Sequence, residues 1–86
     1  MGVFDLEIVT PDRALFSGKV QSVTVPGSQG SFQILVNHAP IIATLGRGNV
    51  KIVGENGDET TLKAQDGVIE VLKNKAIILL ERIFED

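Results

Sequence analysis

Residues 25–42, "VPGSQGSFQILVNHAPII", gather the residue types with which this chain could do chemistry: its one His, two of its three Pro and two of its nine Gly. A catalytic imidazole needs a nucleophile and an orienting partner within hydrogen-bond reach. Ser22, Ser28 and Ser31 could serve beside His38, but none sits in a nucleophile-elbow pattern. A metal site needs three or four ligands, and one His with scattered carboxylates does not supply them. His38 then reads either as a turn residue bonded to local backbone or as a contact residue at a protein interface. Gly27-Ser28-Gln29-Gly30 has the glycines of a phosphate loop without the Lys-Ser/Thr ending or a following helix. It reads as a tight exposed turn. "LKNKA" raises a different chemistry. Lipoyl and biotinyl carrier domains are small all-β folds that present one Lys on a hairpin, and Lys75 after Asn74 could be such a Lys. Lys73 competes with it, and the small, acidic or Met neighbours of a carrier Lys are missing. The acidic residues Glu55, Asp58-Glu59 and Glu85-Asp86 read as solvated ends and edge protection. No cofactor, metal or catalytic residue is implied.

The elements that position these residues must come from a chain of 86 residues, enough for one domain, 1–86. A domain this small buries about 60–65% of the surface of its unfolded chain, so its core is thin and an internal ligand cavity is not expected. Apolar residues at 43% suffice for a folded globule. Eight basic and eleven acidic residues give −3, and four Phe are the only aromatics. Both facts argue against nucleic acid, which wants a clustered basic face and stacking platforms. With no Cys, disulfides and Cys-based chemistry are excluded, and a cytosolic address fits. The start "MGVFDLEIV" is no signal peptide, Leu6 breaks the myristoylation pattern, and no apolar run approaches a membrane span. Membrane association would come through a partner.

The chain reads as strands and turns almost throughout. Phe4, Leu6 and Ile8 alternate with Asp5 and Glu7. Pro11-Asp12 turns, residues 14–16 make a short strand, and Ser17-Gly18 breaks it. Over residues 19–25 the alternation slips between Val20 and Val23, which predicts a bulge or a switch between sheets. Residues 30–36 and 41–45 are further strands. In the second half, residues 50–53, 59–65, 68–72 and 76–80 form a meander. Three hairpins join it, at Asn56-Gly57, Asp66-Gly67 and Lys73-Asn74-Lys75. "AIILLERIF" has helical propensity, but its hairpin setting and β-branched start favour a strand. Nine or ten short strands in one domain predict a β-sandwich or barrel.

"FSGKVQSVTVPGSQGSFQILVNHAPIIATLGRGNVKI", residues 16–52, resembles the epsilon subunit of the rotary ATP synthases, as do "LEIVTPD" before it and "DGVIEVLKNKAIILLE" after it. The resemblance implies an all-β fold, a flattened β-sandwich of about ten short antiparallel strands with no C-terminal helical hairpin. It implies a non-catalytic central-stalk subunit at the cytoplasmic face of a bacterial membrane. Its partners would be the gamma subunit and the membrane rotor ring, and its work would be to couple ion-driven rotation to ATP synthesis. Gly27, Ser28, Gln29, Gly30 and Ser31 match the ring-contacting turn. Thr10, His38, Ala39, Pro40, Ile41 and Ala43 match positions on or near the gamma-facing side.

Three departures from the family pattern carry expectations. The Pro-Gly before His-Ala-Pro is Val36-Asn37 here, and Asn can take the left-handed conformation of the missing Gly. The turn at 27–31 lacks the common acidic residue, so no strong salt bridge to the ring is expected there. The two-helix arm that family members usually carry is not among these 86 residues, which run to "ERIFED". Neither arm-type inhibition of hydrolysis nor ATP sensing is therefore expected of these 86 residues.

Overall fold

The computed structural model describes residues 2–83, and every regular element in them is a strand. In chain order these are β1 (Phe4–Val9), β2 (Ala14–Gly27), β3 (Gly30–Leu35), β4 (Ile41–Leu45), β5 (Gly48–Gly54), β6 (Glu59–Leu72) and β7 (Lys75–Ile83). The fold is the expected all-β sandwich, with seven strands rather than ten. Two pairs of expected short strands are single long ones. Gly18 does not end a strand but continues β2 opposite Leu6. Asp66-Gly67 is likewise no hairpin, since β6 runs through it.

The two 14-residue strands bend and serve both layers. The first half of β2 pairs with β1, and its second half lies between β3 and β5. The first half of β6 pairs with β5, and its second half lies between β7 and β4. One layer is thus β3–β2–β5–β6 and the other β2–β1–β7–β6–β4. The alternation slip around Gln21 is a register shift between Val20 and Ser22. It returns Val20, Val23 and Val25 to the same core, all fully buried. Pairing is antiparallel everywhere except between β1 and β7, which run parallel from Asp5↔Lys75 to Val9↔Leu79. That pairing of the first and last strands closes the sheet, and it departs from the expected all-antiparallel pattern. "AIILLE" is strand, as its hairpin setting required, and β7 continues to Ile83. The cluster Glu85-Asp86 lies outside the described residues.

Between the layers, period-2 alternation stacks Leu6 and Ile8 on Ile52, Ile69, Ile78 and Leu80. Each fully buried aliphatic side chain contributes about 1.5–3 kcal/mol. The turns follow local chemistry. Lys73 and Asn74 both take positive φ, 50° and 61°, the geometry of a two-residue type I′ loop. Gly57 takes φ 88° in the β5–β6 turn, where its N–H donates to the Gly54 carbonyl at 2.9 Å.

Gly57 and Gly67 are glycines for different reasons. A Cβ on Gly57 would meet open space, so only its φ resists substitution. Gly67 has no left-handed φ, but a Cβ there would collide with the Leu79 carbonyl oxygen and come 3.0 Å from the Leu80 side chain. Gly67→Val should therefore cost about 3 kcal/mol and Gly57→Ala about 1 kcal/mol. Equilibrium denaturation measures both. A Gly67 variant as mild as the Gly57 variant would contradict the close approach of β7.

Candidate docking site

The loop between β3 and β4 carries His38, Ala39 and Pro40. Asn37 enters it at φ 65°, the left-handed conformation expected where Gly is replaced. Its backbone N–H donates to Asn74 Oδ1 at 2.6 Å, and Asn74 Nδ2 donates to Asn37 Oδ1 at 2.9 Å. The Asn74 carbonyl also accepts the Asp5 N–H at 3.0 Å. A reciprocal side-chain clasp thus holds the loop to the β6–β7 turn. The His38 ring spends Nδ1 on its neighbour. It lies 2.7 Å from the Ala39 carbonyl, which can only accept, so Nδ1 carries the proton. Among the described residues no serine hydroxyl bonds the imidazole. Ser28 Oγ accepts from Thr44 Oγ1 at 2.9 Å, and Ser22 is buried in the β2 ladder. No catalytic arrangement is assembled around His38, and no group of three or more His, Cys, Asp or Glu among the described residues could hold a metal ion.

The turn at 27–31 caps the β2–β3 hairpin, with Ser28 and Gln29 at its tip. Gly30 takes φ 132°, which favours glycine. A Cβ on Gly27 would lie 2.5 Å from the Gly30 carbonyl oxygen. The Ser28 N–H donates to the Thr44 carbonyl at 3.0 Å, and the Gly46 N–H to the Pro26 carbonyl at 2.8 Å. The tip is therefore tied to the far end of β4. An open groove of about 550 Å³ runs beside it, lined by the turn, Phe32 and residues 42–44.

The residues matched to the gamma-facing side do not form one cluster. Thr10 closes the β1–β2 turn, its Oγ1 donating to the Arg13 carbonyl at 3.2 Å. It follows Val9, which pairs with Leu79, and so on through Val68 to Thr44. That row is the end of the layer opposite to His38. Thr10 and the 38–40 loop sit at opposite corners of one outer face, about 14 Å apart across three strand spacings and separated by the length of β4 as well. Ile41 and Ala43 do not lie on that outer face. They pair with Val71 and Ile69 and pack against the core. The outward residue is Ile42, 72% exposed.

The middle of that face was missed by sequence reasoning. Of the five large hydrophobics exposed among the described residues, Ile42, Val68, Leu72 and Leu79 share it, and only Leu35 does not. The other layer's outer face carries Gln33, Thr24, Lys51 and Thr61, with a Lys51–Glu59 ion pair at 3.3 Å. A signal was present: the run Ile77-Ile78-Leu79-Leu80 is apolar at both parities, the mark of a strand covered on both faces.

Fold and site together define a small β-sandwich with one polar and one apolar outer face and a rigid turn at one end. The sequence matches, over residues 3–86, the family described as "ATP synthase, Delta/Epsilon chain, beta-sandwich domain". It is 44% identical over 80 residues to the ATP synthase epsilon chain of Chlorobaculum tepidum, covering 93% of this chain and 91% of that one. It is 45% identical over 78 residues to that of Dichelobacter nodosus, of which it spans 54%. A chain in the cryo-EM structure of the Euglena gracilis mitochondrial ATP synthase (OSCP/F1/c-ring, rotational state 1) shares the fold at TM-score 0.89 and 17% identity. That match covers 98% of this chain and 54% of the other.

The chain belongs to the ATP synthase epsilon-chain family. With that membership it is a non-catalytic accessory subunit of a membrane-associated complex, and the carrier reading of Lys75 falls. Lys75 is in any case not at the hairpin tip but in the ladder, opposite Leu72.

The opposite facing of Ile41 and Ile42 has a direct test. Ile41→Glu should destabilise the domain by about 3 kcal/mol, since it puts a carboxylate against the core. Ile42→Glu should change stability by under about 0.5 kcal/mol. Thermal melts of both variants check this, and equal losses would contradict the register of β4.

Proposed function

We propose that the chain is a rotor component of the ATP synthase central stalk. Its apolar outer face docks on the gamma subunit, and the turn at 27–31 meets the polar loops of the membrane rotor ring. It thereby couples ion-driven rotation of the ring to ATP synthesis in the head, peripheral to the cytoplasmic face of a bacterial membrane. The carrying observation is the asymmetry of the two layers: Ile42, Val68, Leu72 and Leu79 are exposed on one, while the other exposes mainly polar side chains and, at the end of β3, Leu35. Leaving such a face in water forgoes burial worth about 25 cal/mol per Å², and a patch of this kind marks an interaction surface.

The family and the assemblies around its fold relatives support the same reading. A second fold relative, at TM-score 0.77 and 18% identity, is a chain of the cryo-EM structure of the Tetrahymena thermophila mitochondrial ATP synthase central stalk and c-ring. Thr10, His38, Ala39 and Pro40, at two corners of the apolar face, would then contact gamma at its rim. Ile41 and Ala43 would support Ile42 from beneath. The ring turn lies at the other end of β4 from the His38 loop, roughly 15 Å of extended chain away. One domain could therefore touch gamma and ring at once. The tip residues Ser28 and Gln29 are uncharged, so they would meet the ring through hydrogen bonds and shape.

Capture of the ATP synthase head with its gamma subunit tests the docking face. Ile42→Glu, with an unchanged melt, should weaken capture roughly 30- to 1000-fold, because docking would bury an unpaired carboxylate. Thr61→Glu on the polar layer should bind as the parent does. Unchanged affinity for Ile42→Glu would reject the apolar face as the gamma-binding surface.

A further inference from the structure

The apolar face is not uniformly apolar, and one of its charged residues is central. Glu70 on β6 pairs with Ile42 on β4 to one side and with Ile77 on β7 to the other. Two residues along its own strand in either direction stand Val68 and Leu72, facing the same way. The carboxylate is thus ringed by four aliphatic side chains. Among the described residues it has neither a hydrogen bond nor an ion pair. Glu70 is in neither the Lys19–Asp5 pair at 3.1 Å nor the Lys51–Glu59 pair at 3.3 Å. Lys75 stands on the same face, diagonally across β7, and leaves Glu70 unpaired.

In the free domain this arrangement is harmless, because Glu70 is exposed and hydrated. Docking changes its surroundings. Covering Ile42, Val68, Leu72 and Ile77 with apolar partner surface also covers Glu70, and a carboxylate taken out of water without a partner costs several kcal/mol. A face that docks through these aliphatics must be met by a surface that compensates the carboxylate. The wider face points the same way. Glu7 flanks Ile77 on its far side, across the β1–β7 ladder, and Glu81 follows Leu79 outward along β7. The outward charge of this layer is mainly acidic.

Resting on the docking reading above, we infer that the surface of gamma facing this layer is an apolar patch with a Lys or Arg at its centre, and that this cation pairs with Glu70. The aliphatics supply the adhesion and the pair supplies the register. A surface lacking the cation is rejected because it leaves Glu70 buried and unpaired. A surface shifted by one strand along the layer fails for the same reason. Glu70 is then the specificity-determining residue of the face.

The test measures the affinity of Glu70 variants for the ATP synthase head carrying gamma, beside Ile42→Glu. Glu70→Gln keeps the shape and removes the charge, and it should bind about tenfold more weakly. Glu70→Lys sets like charges against each other and should bind more than about a hundredfold more weakly. Glu70→Asp keeps the charge and should recover more affinity than Gln. All three should melt like the parent. Glu70→Gln binding as well as the parent, or more tightly, would overturn the inference and leave Glu70 a solubilising residue. If Ile42→Glu has meanwhile lost binding, the docking reading stands and only the central cation is rejected. If Ile42→Glu binds normally, the docking reading falls as well.

Discussion

The seven strands form two joined layers because β2 and β6 each lend their backbone to both. Each does so by bending where its partners change. In β2 the bend is the register shift around Gln21, which lets Val20 pair beside β1 and Val23 beside β3 while both stay in the core. In β6 it is Asp66 at φ 57° followed by Gly67, whose bare backbone lets the Leu79 carbonyl approach. Every other pairing hangs on these two strands. β5 bridges their polar-layer halves, and β1 with β7 joins their apolar-layer halves.

The same sharing produces the functional asymmetry. Strands of the polar layer alternate, as in β5, where Val50 and Ile52 face in and Asn49 and Lys51 face out. Strands of the other layer do not. β7 carries Ile78 and Leu80 inward and Ile77 and Leu79 outward, and β4 backs exposed Ile42 with half-buried Ile41 and Ala43. The sheet fixes the backbone positions from which those outward side chains project, so docking there would need no ordering of the main chain. The loop at its corner is held in the same way by the Asn37–Asn74 clasp, which supplies constraint where the family's Pro is absent.

Much of this was legible in the sequence wherever local chemistry decided it. Asn56-Gly57 and Lys73-Asn74 are turns, the slip between Val20 and Val23 is a bulge, and Asn37 takes the left-handed φ. The failures share one cause. Asp66-Gly67 looks the same as a hairpin turn and as a bulge, because both use a positive φ at Asp66, and only the approach of β7 separates them. The parallel β1–β7 ladder joins the two ends of the described chain and leaves no local trace. Ile41 and Ile42 are the same residue type, and the pairing of Ile41 with Val71 decides which of them faces out. The ring turn and the loop could be matched by motif. The apolar patch could not, because it is assembled from β4, β6 and β7.

The central claim is that one outer face, and not the other, is covered in the assembled enzyme. The chain has no Cys, so a placed cysteine is the only thiol in it, and its labelling is read on this chain after the subunits are separated. The decisive measurement is the rate of maleimide labelling at positions 42, 68 and 79 on one layer and 24, 51 and 61 on the other. Rates are compared between the isolated domain and intact ATP synthase. The account predicts that 42, 68 and 79 become protected on assembly while 24, 51 and 61 keep their free-domain rates. Protection of the polar layer instead, or equal labelling of both, would contradict it.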